Sequence, residues 1–266
     1  LLKAGDKDSE GNAIMHSFWA PEIHEIDGRL TILFMAGYGN TWSNGKSVYM
    51  QLKQDADGHD LDPADPDNWT VPTPIYRNDA SLLNGNKQLA ATASGGVGMS
   101  LDMTYFQDAD GRSYYAWQQL GATYIATMDP KDPAHVTSSP VRIVTPEYAW
   151  NAAIAEGPNV TLRDGKLYLM FSGSGVGKTY TTGLAVADAS GTDLTDPASW
   201  TVLNYPIQKS GPFNGEMQLG TGHGMWSEDE DGNQIYVFHA YATKNLGSVN
   251  AAGRDMFVRR VHWAAD

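Results

Sequence analysis

Cysteine is absent from the 266 residues. That excludes disulfide staples, thiolate zinc sites, iron–sulfur clusters and cysteine nucleophiles. It leaves the cellular compartment open. Basic residues are scarce, with 18 Lys and Arg against 31 Asp and Glu, a formal charge of −13. Nucleic acid and anionic membrane surfaces both call for a basic face, so neither is expected as a partner. Long apolar runs are missing as well. The best, Leu30 to Ala36, has the length of a strand, far short of the roughly 18 residues a membrane helix needs. No basic segment followed by an apolar one opens the chain, and its first residue is Leu rather than Met. Glycine (28), tyrosine (13) and tryptophan (8) are plentiful. They suit short strands, tight turns and an aromatic-lined groove.

An internal repeat organises the chain. Four segments read as strand, Asp-Gly or similar turn, then a strand rich in aromatic and β-branched residues: Glu22–Phe34, Met103–Trp117, Asn159–Phe171 and Trp226–Phe238. Their turn glycines are Gly28, Gly111, Gly165 and Gly232, spaced by 83, 54 and 67 residues. Asp-Gly between alternating apolar runs is a strong hairpin signal, because glycine supplies the positive φ the turn requires. Asp-Pro turns follow the first three hairpins, at Asp65-Pro66, Asp129-Pro130 and Asp196-Pro197, the first and third leading to Trp69 and Trp200. Repeated antiparallel units of this size predict an all-β chain built as blades of a β-propeller. A β-sandwich would alternate similarly without repeating the turn–strand–turn–Trp signature. Helix is scarce; Leu82 to Thr92 could hold one short piece.

Counting back nine residues from each turn glycine reaches Trp19, Asp102, Glu156 and His223. In a propeller the first strand of each blade lines the axis, so equivalent positions converge there. Two carboxylates, an imidazole and an indole are therefore expected in one pocket. Glycine and proline beside them, in Glu156-Gly157-Pro158 and Gly220-Thr221-Gly222-His223-Gly224, let backbone approach a ligand closely. Taken singly, an Asp before a strand is usually a turn cap and a Glu usually a solvated face. Their registration at one repeat position is what favours chemistry. His223 suits a supporting or ion-binding part, having no evident partner as a base. Paired carboxylates in an aromatic groove fit glycoside hydrolysis, in which one acid must be protonated and another ionised.

These residues resemble glycoside hydrolase family 43. The resemblance rests on Trp19-Ala20-Pro21-Glu22-Ile23-His24, Ser100-Leu101-Asp102, Glu156-Gly157-Pro158 and Gly220-Thr221-Gly222-His223, in that order over nearly the whole chain. It implies a five-bladed β-propeller, of which this chain carries four blades in a single catalytic domain spanning 1–266. It implies an inverting enzyme with Glu156 as general acid and Asp102 orienting that acid and tuning its pKa. Arg254, in Gly253-Arg254-Asp255, would reach the sugar or the acid, with Trp19 and His223 also binding substrate. His223 would further hold a Ca2+ ion or its water shell; no organic cofactor is expected. The family's general base opens the first blade, and the hairpins here begin with the second. Only 18 residues precede Trp19, and Asp6 and Asp8 have no strand after them, so neither is assigned as the base. The N-terminal blade is expected to be missing from these residues.

The resulting expectation is an exo-acting α-L-arabinofuranosidase on plant cell-wall polysaccharide, with β-xylosidase and arabinanase as neighbouring activities. A non-catalytic carbohydrate-binding propeller is the alternative from another class. A secreted or cell-surface bacterial protein is expected, with the cytoplasm as the alternative. Three motifs are set aside. Ser172–Thr179 nearly spells a phosphate loop, but Ser172 stands where glycine is required and the following residues alternate like a strand. Asp55-Ala56-Asp57-Gly58-His59-Asp60 mimics a calcium loop without its final glutamate. His24 and His239 fall on strand patterns and read as packed or hydrogen-bonded residues.

Overall fold

The computed structural model describes residues 1–41, 44–83, 99–242 and 253–263. The helix considered over 82–92 falls, from residue 84 on, outside them. The chain divides into two units: Leu1–Gln107 with Gly111–Leu120 and Tyr124–Val141, and Asp108–Asp110 with Gly121–Thr123 and Arg142–Asp266. Both are all-β, and the four blade-like sheets expected are present.

In unit 1 the first sheet is an antiparallel meander of β1 (Ile14–Ile26), β2 (Arg29–Tyr38), β3 (Lys46–Gln51) and β4 (Thr73–Pro74). The second comprises β5 (Tyr76–Arg77), β6 (Leu101–Gln107), β7 (Ser113–Gln119), β8 (Ala122–Asp129) and β9 (Asp132–Val136), in the order β5-β9-β8-β7-β6. Here β5 pairs parallel to β9, in contrast to the antiparallel β6–β7 and β8–β9 pairs. Apolar alternation puts Ile26, Leu33, Met103, Tyr115, Trp117 and Met128 into one core that joins the two sheets. Each such side chain, fully buried, stabilises by roughly 1.5–3 kcal/mol.

The strand β10 (Val141–Val144) leads into unit 2. Its third sheet is the meander β11 (Ala155–Arg163), β12 (Lys166–Gly173), β13 (Thr181–Asp188) and β14 (Thr201–Val202). The fourth is β15 (Gly211–Phe213), β16 (Glu216–Glu228), β17 (Gln234–Ala242) and β18 (Asp255–Arg260). Met170, Tyr236, Phe238 and Ala240 pack between these sheets. Among the described residues no helix is long and apolar enough to cross a membrane.

The turns follow the sequence in two ways. Asp27-Gly28 and Asp164-Gly165 both have positive φ at each residue (52° and 68°, 49° and 74°), the two-residue turn whose twist matches paired strands. The β6–β7 and β16–β17 hairpins instead turn through loops headed by a carboxylate. Asp108 accepts from the Asp110 N–H at 3.0 Å, and Asp229 from the N–H groups of Asp231 and Asn233 at 3.1 and 2.8 Å. The same device recurs at Asp55, which accepts from the N–H groups of Asp57 and His59. That hydrogen bonding holds Asp55 below the usual carboxylate range. The calcium-loop mimic is thus an exposed turn that its own backbone satisfies, although Asp55, Asp57 and His59 do lie close together.

Asp65-Pro66 and Asp196-Pro197 each open a 3-10 turn, the aspartate capping it and the following tryptophan ending it. Trp69 and Trp200 donate their indole N–H to the carbonyls of Pro63 and Leu194. Asp129-Pro130 differs: Asp129 pairs with Asp132, leaving Pro130-Lys131 as the tight connection from β8 to β9.

Candidate active site

All four long inner strands share one register break at an equivalent place, although β1 also breaks register earlier, between Ile14 and Trp19, and β16 between Leu219 and Gly222. The shared breaks fall between Trp19 and Glu22 in β1, Leu101 and Thr104 in β6, Glu156 and Asn159 in β11, and Gly222 and Met225 in β16. Within each break one residue is left-handed: Ala20 (φ 49°), Asp102 (58°), Gly157 (58°) and His223 (49°). The repeat is therefore a left-handed bulge. Asp102 and His223 occupy it, whereas Trp19 and Glu156 immediately precede it. Counting from the turn glycine merges these two adjacent positions, because the carboxylate-headed loops are longer than the two-residue turns.

In unit 1, Asp102 is buried at 3% exposure and Trp19 is 45% exposed, and β1 packs beside β6. The neighbouring Ser100 accepts from the Ser47 N–H at 2.8 Å, which ties the start of β6 to β3. Asp8 is buried in its own carboxylate-headed turn. It accepts from Tyr38 Oη at 2.9 Å and from the N–H groups of Glu10 and Asn12, an arrangement that suits a structural anchor and not a base.

Unit 2 brings Glu156, His223 and Arg254 into one constellation. Glu156 pairs with Ser172 across β11 and β12. Ser172 Oγ accepts from the His223 N–H at 2.7 Å, so the bulges of β11 and β16 are stitched through one buried hydroxyl. Gly157 is needed there twice over: its φ is positive, and a Cβ would lie 3.3 Å from His223 Nδ1. Tyr180, just before β13, donates to Glu156 Oε1 at 2.7 Å. The Tyr180 ring stacks on His239 at 5.6 Å and 9°, and His239 lies nearly parallel to His223 at 6.2 Å. Arg254 Nη1 donates to His239 Nε2 at 2.8 Å.

Guanidinium has no acceptor, so His239 Nε2 must be unprotonated and the ring proton sits on Nδ1. Burial, then the charges of Arg254 and His223, pull the His239 pKa down to about 3. His239 is thus a neutral, flat spacer between a cation and a phenol. Its reading as a packed, hydrogen-bonded residue holds, and its partners are those of the site. Tyr180, Ser172 and His239 were not among the expected site residues. Strand register, which pairs Glu156 with Ser172, and close packing, which leaves only 2.4 Å between the Tyr180 ring and a Cβ at position 222, place the first two, and neither is written in the local sequence.

Beyond Gly173, residues 174–179 form bends and a turn, and β13 follows as a strand. No helix N-terminus faces the near-phosphate loop, as expected. Chemically, the constellation offers the Glu156 carboxyl with a fixed hydrogen-bond donor, backed by the Tyr180 and neutral His239 rings and the Arg254 cation.

Comparison with known proteins matches residues 2–266 to the family model described as glycosyl hydrolases family 43. The extracellular exo-α-(1→5)-L-arabinofuranosidase of Streptomyces avermitilis is 28% identical over 261 residues, covering 93% of this chain and 48% of that protein. An α-L-arabinofuranosidase of Humicola insolens is 29% identical over 262 residues, covering 93% and 48%. The chain thus spans about half the length of these relatives. Among solved structures, an α-L-arabinofuranosidase from Lactobacillus brevis has a TM-score of 0.73 at 24% identity, over 96% of this chain and 78% of that one. Motif order, fold and family match agree: this chain belongs to glycoside hydrolase family 43.

Proposed function

We propose that the protein is an inverting, exo-acting α-L-arabinofuranosidase on plant cell-wall oligosaccharides or polysaccharides, with Glu156 as general acid. The observation that carries this reading is the carboxyl of Glu156, fixed by Tyr180 at 2.7 Å in a family 43 chain. Both relatives named above are arabinofuranosidases, which favours arabinofuranose over xylose as the released sugar. The extracellular Streptomyces relative favours secretion.

In the proposed reaction, Glu156 protonates the glycosidic oxygen as the bond to the anomeric carbon breaks, while a base-activated water attacks from the opposite face. Asp102 takes the part of the carboxylate that orients the acid and raises its pKa, since like charge disfavours ionisation. Its burial at 3% exposure and its left-handed backbone, a conformation Asp tolerates better than most residues, suit a fixed role. Trp19, half exposed, offers an indole face to a sugar ring. Arg254 supports the acid side through His239. The general base is not assigned to any of these residues.

The His223 imidazole offers Ca2+ a nitrogen, whereas that hard ion takes six to eight oxygens. The calcium expected from the resemblance would meet this chain through water at His223, and no step is drawn through it.

The test is incubation of the intact protein with α-1,5-arabino-oligosaccharides and xylo-oligosaccharides, the product anomer being followed by NMR. L-arabinose released with inverted configuration is expected. Binding without turnover would replace the enzyme by a carbohydrate-binding propeller.

A further inference from the structure

Tyr180 opens a stretch that reads in the sequence as an alternating strand, and its hydroxyl and ring both engage the surroundings of Glu156. Its hydroxyl donates to Oε1. Its ring is held on one side by the backbone at Gly222, where no side chain larger than hydrogen fits. His239 stacks on it, and His239 is held by Arg254. The phenol is therefore fixed by two strands of the neighbouring sheet, not by its own.

We propose that Tyr180 is a positioning residue for the general acid, selecting Oε2 of Glu156 as the oxygen that carries the proton. The inference rests on the acid role proposed above. A carboxyl that accepts a hydrogen bond at Oε1 keeps its own proton on the other oxygen. As that proton passes to the glycosidic oxygen, negative charge develops on Glu156. The Tyr180 hydrogen bond then becomes charge-assisted and strengthens. An interaction that is stronger in the transition state than in the ground state accelerates the chemical step and leaves substrate binding unchanged. The supporting stack supplies no proton: His239 is neutral, with Nε2 accepting from Arg254. Its part is to keep the phenol from rotating away, and among the described residues of unit 2 the charged or titratable groups around Tyr180 and Glu156 include His223, His239 and Arg254.

Tyr180→Phe keeps the ring, its stack on His239 and its fit against Gly222, and removes only the hydroxyl. In the intact protein it should lower kcat on arabino-oligosaccharides by roughly 10–100-fold, the range for losing one hydrogen bond to a charged group. KM should stay within about twofold, and aryl arabinosides with good leaving groups should lose less than about threefold, because departure needs little acid assistance. His239→Leu, which removes the stack and the Arg254 contact together, should show the same leaving-group pattern at smaller size. Wild-type kinetics in Tyr180→Phe, or an equal loss on both substrate types, would overturn the positioning role. Glu156→Gln separates the two ideas. If it abolishes oligosaccharide turnover while Tyr180→Phe is wild type, the acid stands and only Tyr180 is dismissed. If it leaves turnover intact, the acid assignment itself falls.

Discussion

Two of the four hairpins turn in two residues and two turn through a five-residue loop headed by aspartate, and the two pairs differ in which residue of the bulge is the candidate site residue. In the tight pair, β1–β2 and β11–β12, the residue on the left-handed bulge is small, Ala20 or Gly157, and the candidate side chain, Trp19 or Glu156, precedes it. In the looped pair, β6–β7 and β16–β17, Asp102 and His223 occupy the bulge themselves. What recurs along the chain is a backbone kink. The candidate site residues are mounted on either of two adjacent residues of it. A left-handed non-glycine residue costs roughly 1–2 kcal/mol, so Asp102 and His223 are held in conformations that the surrounding sheets must enforce, as strained residues at functional sites commonly are.

The sharpest way to break this comparison is to put a side chain on the glycine bulge. Gly157→Ala should destabilise by about 1–2 kcal/mol from the left-handed backbone alone, with a further loss from crowding His223 Nδ1, 3.3 Å from the new Cβ. Denaturant unfolding reads it. An unchanged midpoint would mean that the β11 bulge relaxes freely. The reverse change in β1, Ala20→Gly, should be stabilising by up to about 1 kcal/mol, since glycine adopts positive φ without steric cost but loses more entropy on folding. A destabilised Ala20→Gly would show that the Ala20 methyl packs against something essential. The smallest effect is expected at the turns. Asp229→Ala removes a carboxylate that caps two backbone N–H groups and pairs with Arg260 at 2.9 Å, and should lower Tm measurably. Asp164→Gly, in the two-residue turn, should be neutral or slightly stabilising. Equal losses at both positions would erase the distinction between the two turn types.

Much of this architecture is legible from local signals. Asp-Gly marks all four hairpin turns and Asp-Pro-x-x-Trp two outer turns, because each is specified by residues within a few positions of one another; the earlier aspartate that makes two of the hairpins five-residue loops was not among the expected turn residues. The left-handed bulge of each inner strand was reached to within one residue, although β1 begins at Ile14 and β16 at Glu216, five and seven residues before the counted positions. The remaining error arose because both turn types end in glycine while differing in length. Convergence of Tyr180, Ser172 and His239 on Glu156 was not legible. It depends on strand register over long separations and on ring stacking between sheets, and neither leaves a pattern in the chain. Asp129-Pro130 shows the same limit from the other side: the dipeptide matches its two counterparts, but the pairing of β8 with β9 makes it a strand connection.

The measurement that bears most directly on Glu156 as general acid is the leaving-group dependence of Glu156→Ala in the intact protein. Hydrolysis of arabino-oligosaccharides, whose leaving alkoxide needs a proton, should fall by about 10²–10⁴-fold. Hydrolysis of aryl arabinosides whose phenolate departs unaided should fall far less, with inversion retained. Equal loss on both substrates, or no loss on the oligosaccharide, would contradict the assignment.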